Sequence, residues 1–151
     1  MTEQQNQPAD MFRKKLETYA KLKKEIGEQK AWDKLFEGYP ERQKKNMGAL
    51  IDNTTLATGF SKGIPLYKKI GMEMEVVDIS CEGMDAVLEI QKTCPVLSMA
   101  KEYGLDSPCH VICEMDVEAT QKAFPGMKGE ILSRKAAGSC VCIFKYERKG
   151  K

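Results

Sequence analysis

Residues 71–95 read GMEMEVVDISCEGMDAVLEIQKTCP, and the spacing of apolar residues changes character within them. Before Gly71 apolar residues recur at helical intervals. After it they alternate, with Met72, Met74 and Val76 on one side of an extended chain and Val77 and Ile79 on the other. Ser80 to Asp85 supplies turn residues, and Ala86, Leu88 and Ile90 alternate beyond it. This pattern predicts an antiparallel hairpin with strands over 72–80 and 85–93. Cys94-Pro95 then opens a helix, with Val96, Leu97, Met99, Ala100 and Tyr103 as its apolar stripe and Gly104 just past its end.

Working outward, Met11, Phe12, Leu16, Tyr19, Ala20, Leu22, Ile26, Trp32, Leu35 and Phe36 fall at mostly helical spacing and predict one or two amphipathic helices, with Gly27 as the break. Gly38 and Pro40 stop that run, a third helix is expected over 41–58, and a short one over 66–70. Downstream, Ser107-Pro108 is expected to start a helix carrying Cys109, Val111, Ile112 and Cys113, with 117–124 extending it or forming a separate turn. Strands over 130–134 and 140–147 flank Ala136-Ala137-Gly138-Ser139 as a second hairpin. The fold expected is α+β: N-terminal helices over 10–70, then an antiparallel sheet of about four strands with Cys-bearing helices inserted between the two hairpins, in one domain.

With 42% hydrophobic and 30% charged residues among 151, the chain suits a soluble domain of ordinary size, and no apolar run approaches the roughly 20 residues that cross a bilayer. No secretory h-region follows the polar start, so a cytoplasmic protein without a membrane partner is expected. A formal charge of +2 lacks the basic excess of a dedicated nucleic-acid binder. Charge is uneven, however: 11–48 holds eleven Lys/Arg against six Asp/Glu, and 72–92 holds six acids against one Lys. The basic helical half, Lys14 and Lys15 among it, could face an acidic partner, but interspersed acids read more simply as a solvated surface.

The chemistry is expected at the six cysteines. On a helix, Cys109 and Cys113 at i, i+4 would share a face. Cys94 at a helix N-terminus would have its thiolate stabilised and its pKa lowered. Cys140 and Cys142 would lie on one face of the last strand. Cys94, Cys109, Cys113 and one of that pair could hold zinc, which takes four tetrahedral ligands, or a [4Fe-4S] cluster, which takes four thiolates. No Cys-x-x-Cys pair occurs, so the spacing is that of neither a zinc ribbon nor a bacterial ferredoxin. The plainer alternative is that each free Cys packs as a small hydrophobe.

The ordered motifs Lys92-Thr93-Cys94-Pro95, Glu102-Tyr103-Gly104-Leu105, Cys109-x-x-x-Cys113 followed by Glu114 and Asp116, and Gly138-Ser139-x-x-Cys142-x-Phe144 cover about residues 72–147. Over them the chain resembles the L-2-amino-thiazoline-4-carboxylic acid hydrolase family, itself distantly similar to the 4-vinyl reductase small-molecule-binding domains. That resemblance implies Cys94, Cys109, Cys113 and Cys142 as the cysteine set, with Asp116 as the nearby carboxylate. The family's Asp after Gly is Ser139 here, and Cys140 is an added thiol.

Two readings follow. One is a hydrolase of a small sulfur- and nitrogen-containing heterocycle, using Cys94 as nucleophile or a Cys-bound metal that activates water, with Asp116 or His110 as general acid or base. His110 could instead sit on the exposed side of its helix, and Asp116 could cap a helix beginning at Val117. The other is an iron-sulfur or zinc module that senses redox state or a small ligand without hydrolysis, which uses all four thiols at once. Both take a small molecule as partner and leave homo-oligomerisation open.

Overall fold

The computed structural model describes residues 10–150. Helices α1 (Asp10–Ile26) and α2 (Glu28–Phe36) are separated by the single residue Gly27, whose φ of +90° no helix accommodates. Gly38 and Pro40 then set the start of α3 (Tyr39–Ile51). The helix expected to reach residue 58 ends at Ile51. Asp52-Asn53-Thr54-Thr55 interrupts it, because such side chains compete for the backbone groups a helix would use. Thr55 becomes the N-cap of a new helix, α4 (Leu56–Ser61), its hydroxyl accepting the Thr58 N–H at 3.2 Å. Here α3 and α4 touch through Gly59, where a β-carbon would stand 2.6 Å from the Leu50 carbonyl oxygen.

After α5 (Ile64–Lys69) come strands β1 (Met74–Asp78) and β2 (Met84–Gln91), the first expected hairpin. Helix α6 (Val96–Glu102) starts one residue after Pro95, which sits at the N-cap. Helix α7 (Cys113–Ala123) follows, then β3 (Lys128–Ser133) and β4 (Cys142–Lys149). The four strands form one antiparallel sheet in the order β1-β2-β4-β3, with α6 and α7 inserted between the hairpins as the α+β expectation requires.

Two further local expectations fail. Residues 107–112 form turns, not a helix, so Cys109 precedes α7 and does not share a helical face with Cys113; Ser107 accepts the Cys109 N–H at 3.1 Å, a side-chain turn that replaces the first helical bonds. Cys140 is exposed and lies outside β4, which begins at Cys142 after a short 3₁₀ turn at Lys135–Ala137.

Two apolar clusters form the core. One joins Leu16 and Tyr19 of α1 to Val96, Met99 and Ala100 of α6 and Met115 of α7. The other joins Ile51, Leu56 and Phe60 to Val87, Phe144 and Tyr146 of the sheet. Cys113 packs against both. Arg148 ties the sheet to the α3–α4 link: its guanidinium donates to Asp85 at 2.9 Å and to the Ile51 and Thr54 carbonyls at 2.9 and 2.6 Å, while Asp85 accepts the Leu56 N–H. Carbonyls left over at the end of α3 are satisfied this way. Among the described residues no helix is long and apolar enough to cross a membrane.

The face of β2 turned toward the helices is not the one its apolar residues suggest. Asp85, Val87, Glu89 and Gln91 are buried, whereas Leu88 and Ile90 on the other face are only half-buried. The register sets Glu89 in a row with Val76, Phe144 and Ile131 across the sheet. A charge at such a position is costly unless something compensates it.

Candidate functional site

Glu89 and Phe144 of that row floor a cavity of about 500 Å³ between the sheet and helices α1, α2, α3, α5 and α7. Its walls divide into two polar ends. At one end α7 presents Asp116, half-buried and held by Tyr39, whose hydroxyl donates to Oδ1 at 2.8 Å, and by Gln43, whose amide donates to Oδ1 at 3.3 Å and to the Thr120 hydroxyl at 2.9 Å. The Lys15 ammonium lies 4.8 Å from the centre of the Tyr39 ring, and the Arg42 guanidinium, on an exposed residue, 5.4 Å from it. Burial raises the Asp116 carboxyl above its ordinary range despite the stabilising influence of Tyr39, Lys15 and Gln43. Burial also lowers the Lys15 ammonium to about 8, against the opposing pull of Asp116 and Cys113.

At the other end stands Glu89, with no hydrogen-bond partner for its buried Oε2. Burial first, and the charge of Asp116 second, push its carboxyl up to about 8. Tyr67 of α5 and Tyr146 of β4 share this end, and both phenols are raised by burial and by the two carboxyls.

The four cysteines implied by the resemblance converge beside the cavity. Cys94, Cys109 and Cys142 act electrostatically on Cys113, which lines the cavity itself. Cys142 is buried, its sulfur accepting the Lys135 N–H at 3.3 Å. Cys94 does receive the helix-start N–H groups of Val96 and Leu97, which lower its pKa, but burial and its thiol neighbours Cys142 and Cys109 outweigh them, so the thiol is raised rather than lowered. Burial similarly holds Cys113 well above the ordinary thiol value. Among the described residues no three His, Cys, Asp or Glu side chains are grouped closely enough to hold one metal ion. Cys81 and Cys140 are exposed, and no cysteine is in a disulfide.

The remaining expected acid–base groups separate. Asp116 lies inside the first turn of α7 and faces the cavity rather than capping a helix. His110 is half-exposed, 3.5 Å from Glu114 and stacked on Trp32, whose indole donates to the His110 carbonyl at 3.0 Å. That bond pins the Cys109 turn to α2. Sequence reasoning missed Glu89, Lys15, Tyr39, Gln43 and Tyr67. No local signal marked Glu89, which shares its face of β2 with Asp85 and Gln91 and so reads as part of a polar face.

No family model matches the chain, and no curated protein matches it. Among solved structures it is similar to the phenol-responsive sensory domain of the transcription activator PoxR, determined with phenol. The TM-score is 0.54 at 10% identity, over 93% of this chain and 74% of that one. At that identity the likeness establishes the shared fold alone.

Proposed function

We propose that this chain is a small-molecule-binding domain whose ligand occupies the cavity between the inner sheet face and α1, α3 and α7. The carrying observation is the cavity itself, about 500 Å³ with apolar walls and buried polar groups at fixed positions, which is the build of an organic-ligand pocket. The phenol-responsive PoxR domain, similar in fold, supports a one-ring ligand as the first probe. Thermal melts with millimolar phenol, benzyl alcohol and toluene test it. Binding raises Tm with concentration, and the cavity-filling variant Met74→Trp abolishes the rise while still folding. If no one-ring probe, neutral or charged, raises Tm, the reading fails.

A second reading is a zinc or [4Fe-4S] site at Cys94, Cys109, Cys113 and Cys142, favoured by the mutual influence of these thiols. The donor chemistry suits either, but the spacing between the described side chains does not form a closed ligand set. Metal analysis of anaerobically purified protein decides: about one zinc or about four irons per chain supports it. Cys109→Ala and Cys113→Ala then each lose the metal while Cys81→Ala keeps it. No metal in the wild type, or full metal in the double variant, ends it. Ring-opening hydrolysis rests on the family resemblance, and of its expected residues Asp116 and Cys113 line the cavity while Cys94 and His110 do not.

A further inference from the structure

The two polar ends of the cavity differ in what they lack. Asp116 is supplied with two hydrogen bonds and the charge of Lys15. Glu89 is buried, lines the same cavity, and leaves Oε2 unpartnered in the middle of an apolar row. Native proteins rarely keep such a group without use for it. Asp116 acts on Glu89, Tyr67 and Tyr146 alike, and among the described residues no cationic side chain acts on these three, while Lys15 acts on Asp116. Around the carboxyl stand the rings of Tyr67, Phe144 and Tyr146, and aromatic faces attract cations.

We propose that the cavity's ligand is a small aryl or alkyl amine, bound as its ammonium, with the nitrogen against Glu89 and the hydrocarbon part against the aromatic walls. This deepens the ligand-binding reading and rests on it. A neutral hydroxyl could share one hydrogen bond with Glu89 but would leave the carboxyl in the protonated form that burial favours. An ammonium supplies both the donor and the positive charge that lets Glu89 ionise on binding, in a setting dry enough to make charge-assisted bonds strong. Lys15 and Arg42 do not oppose it at this end, since they gather about Tyr39 at the other.

Calorimetric titration of the full chain with benzylamine and with its neutral isostere benzyl alcohol tests this. Wild type is expected to bind benzylamine at least tenfold more tightly than benzyl alcohol, and Glu89→Gln to lose that preference while keeping the alcohol. If wild type binds the alcohol as well as the amine, or Glu89→Gln retains the preference, the amine inference is overturned and the ligand-binding reading stands. Binding of neither overturns both. Should Glu89→Gln fail to fold, the amine-to-alcohol ratio of the wild type decides alone.

Discussion

Asp116, half-buried, and Glu89, buried, are carboxyls on the wall of one cavity, one presented by a helix and the other by a sheet, yet their surroundings are opposite. Tyr39, Gln43 and Lys15 converge on Asp116 from α3 and α1, so the carboxyl cross-links the helical layer. Glu89 has only apolar neighbours in register, Val76 and Phe144, and an unpartnered oxygen. Removing one member of a satisfied polar cluster strands its partners and is costly, whereas an unsatisfied buried group costs stability as it stands. The difference between the two ends thus separates structure from function within a single pocket.

The largest expected effect breaks this comparison from the structural side. Asp116→Ala leaves the Tyr39 hydroxyl without its acceptor and Lys15 without its counter-charge, and is expected to cost about 3 kcal/mol in urea denaturation at neutral pH. Glu89→Met, which extends the apolar row, is expected to raise stability by about 1 to 2 kcal/mol in the same experiment. Equal losses in the two variants would mean that Glu89 also serves the fold, and the asymmetry would dissolve.

The sequence shows the cysteines more clearly than it shows the cavity. Cys94-Pro95, the Cys109-x-x-x-Cys113 spacing and the terminal Cys142-x-Phe144 are short-range patterns, visible because the residue type is rare; they lead to thiols that do converge. The helix starts and stops at Gly27, Gly38 and Gly104 are equally local, since each depends on backbone freedom at one position. The α3–α4 break and the 107–112 turns were harder, because Asp, Asn, Ser and Thr fit both helix termini and helix interiors until tertiary contacts choose. The cavity was hardest. Lys15, Tyr39, Glu89 and Asp116 come from four elements across more than a hundred residues, and no spacing connects them. The sheet face was also misleading: Leu88 and Ile90 mark the apolar side of β2 in the sequence, yet the helices pack on the side carrying Asp85, Glu89 and Gln91, where polar groups are needed by Arg148 and by the pocket.

A smaller and more selective test sharpens the comparison through pH. The folded Glu89 carboxyl sits at about 8 against an ordinary 4.5, so between those values the native chain holds a proton that the unfolded chain has released. Its contribution is therefore complete below about 4.5 and is lost as pH rises through about 8, with a slope of up to about 1.4 kcal/mol per pH unit. Lys15 works in the adjoining window: lowered from 10.5 to about 8, it is less protonated in the native chain than in the unfolded one, so stability recovers as pH rises from about 8 toward 10.5. Asp116, raised in the fold, adds to the falling limb from the acid side. The groups facing Glu89 are Asp116 from α7, Tyr67 from α5 and Tyr146 from β4, and the raised tyrosines stay protonated across the falling limb, leaving Asp116 as the coupled titration. Urea midpoints should accordingly fall from about pH 4.5 to 8; above that the raised Cys94 and Cys113 thiols oppose Lys15, so its recovery is read as the difference between wild type and Lys15→Met. Glu89→Gln should flatten the fall and leave that difference unchanged. An unaltered fall in Glu89→Gln would show that this carboxyl is ionised in the folded chain, and its counter-charge would then have to come from the protein rather than from a ligand.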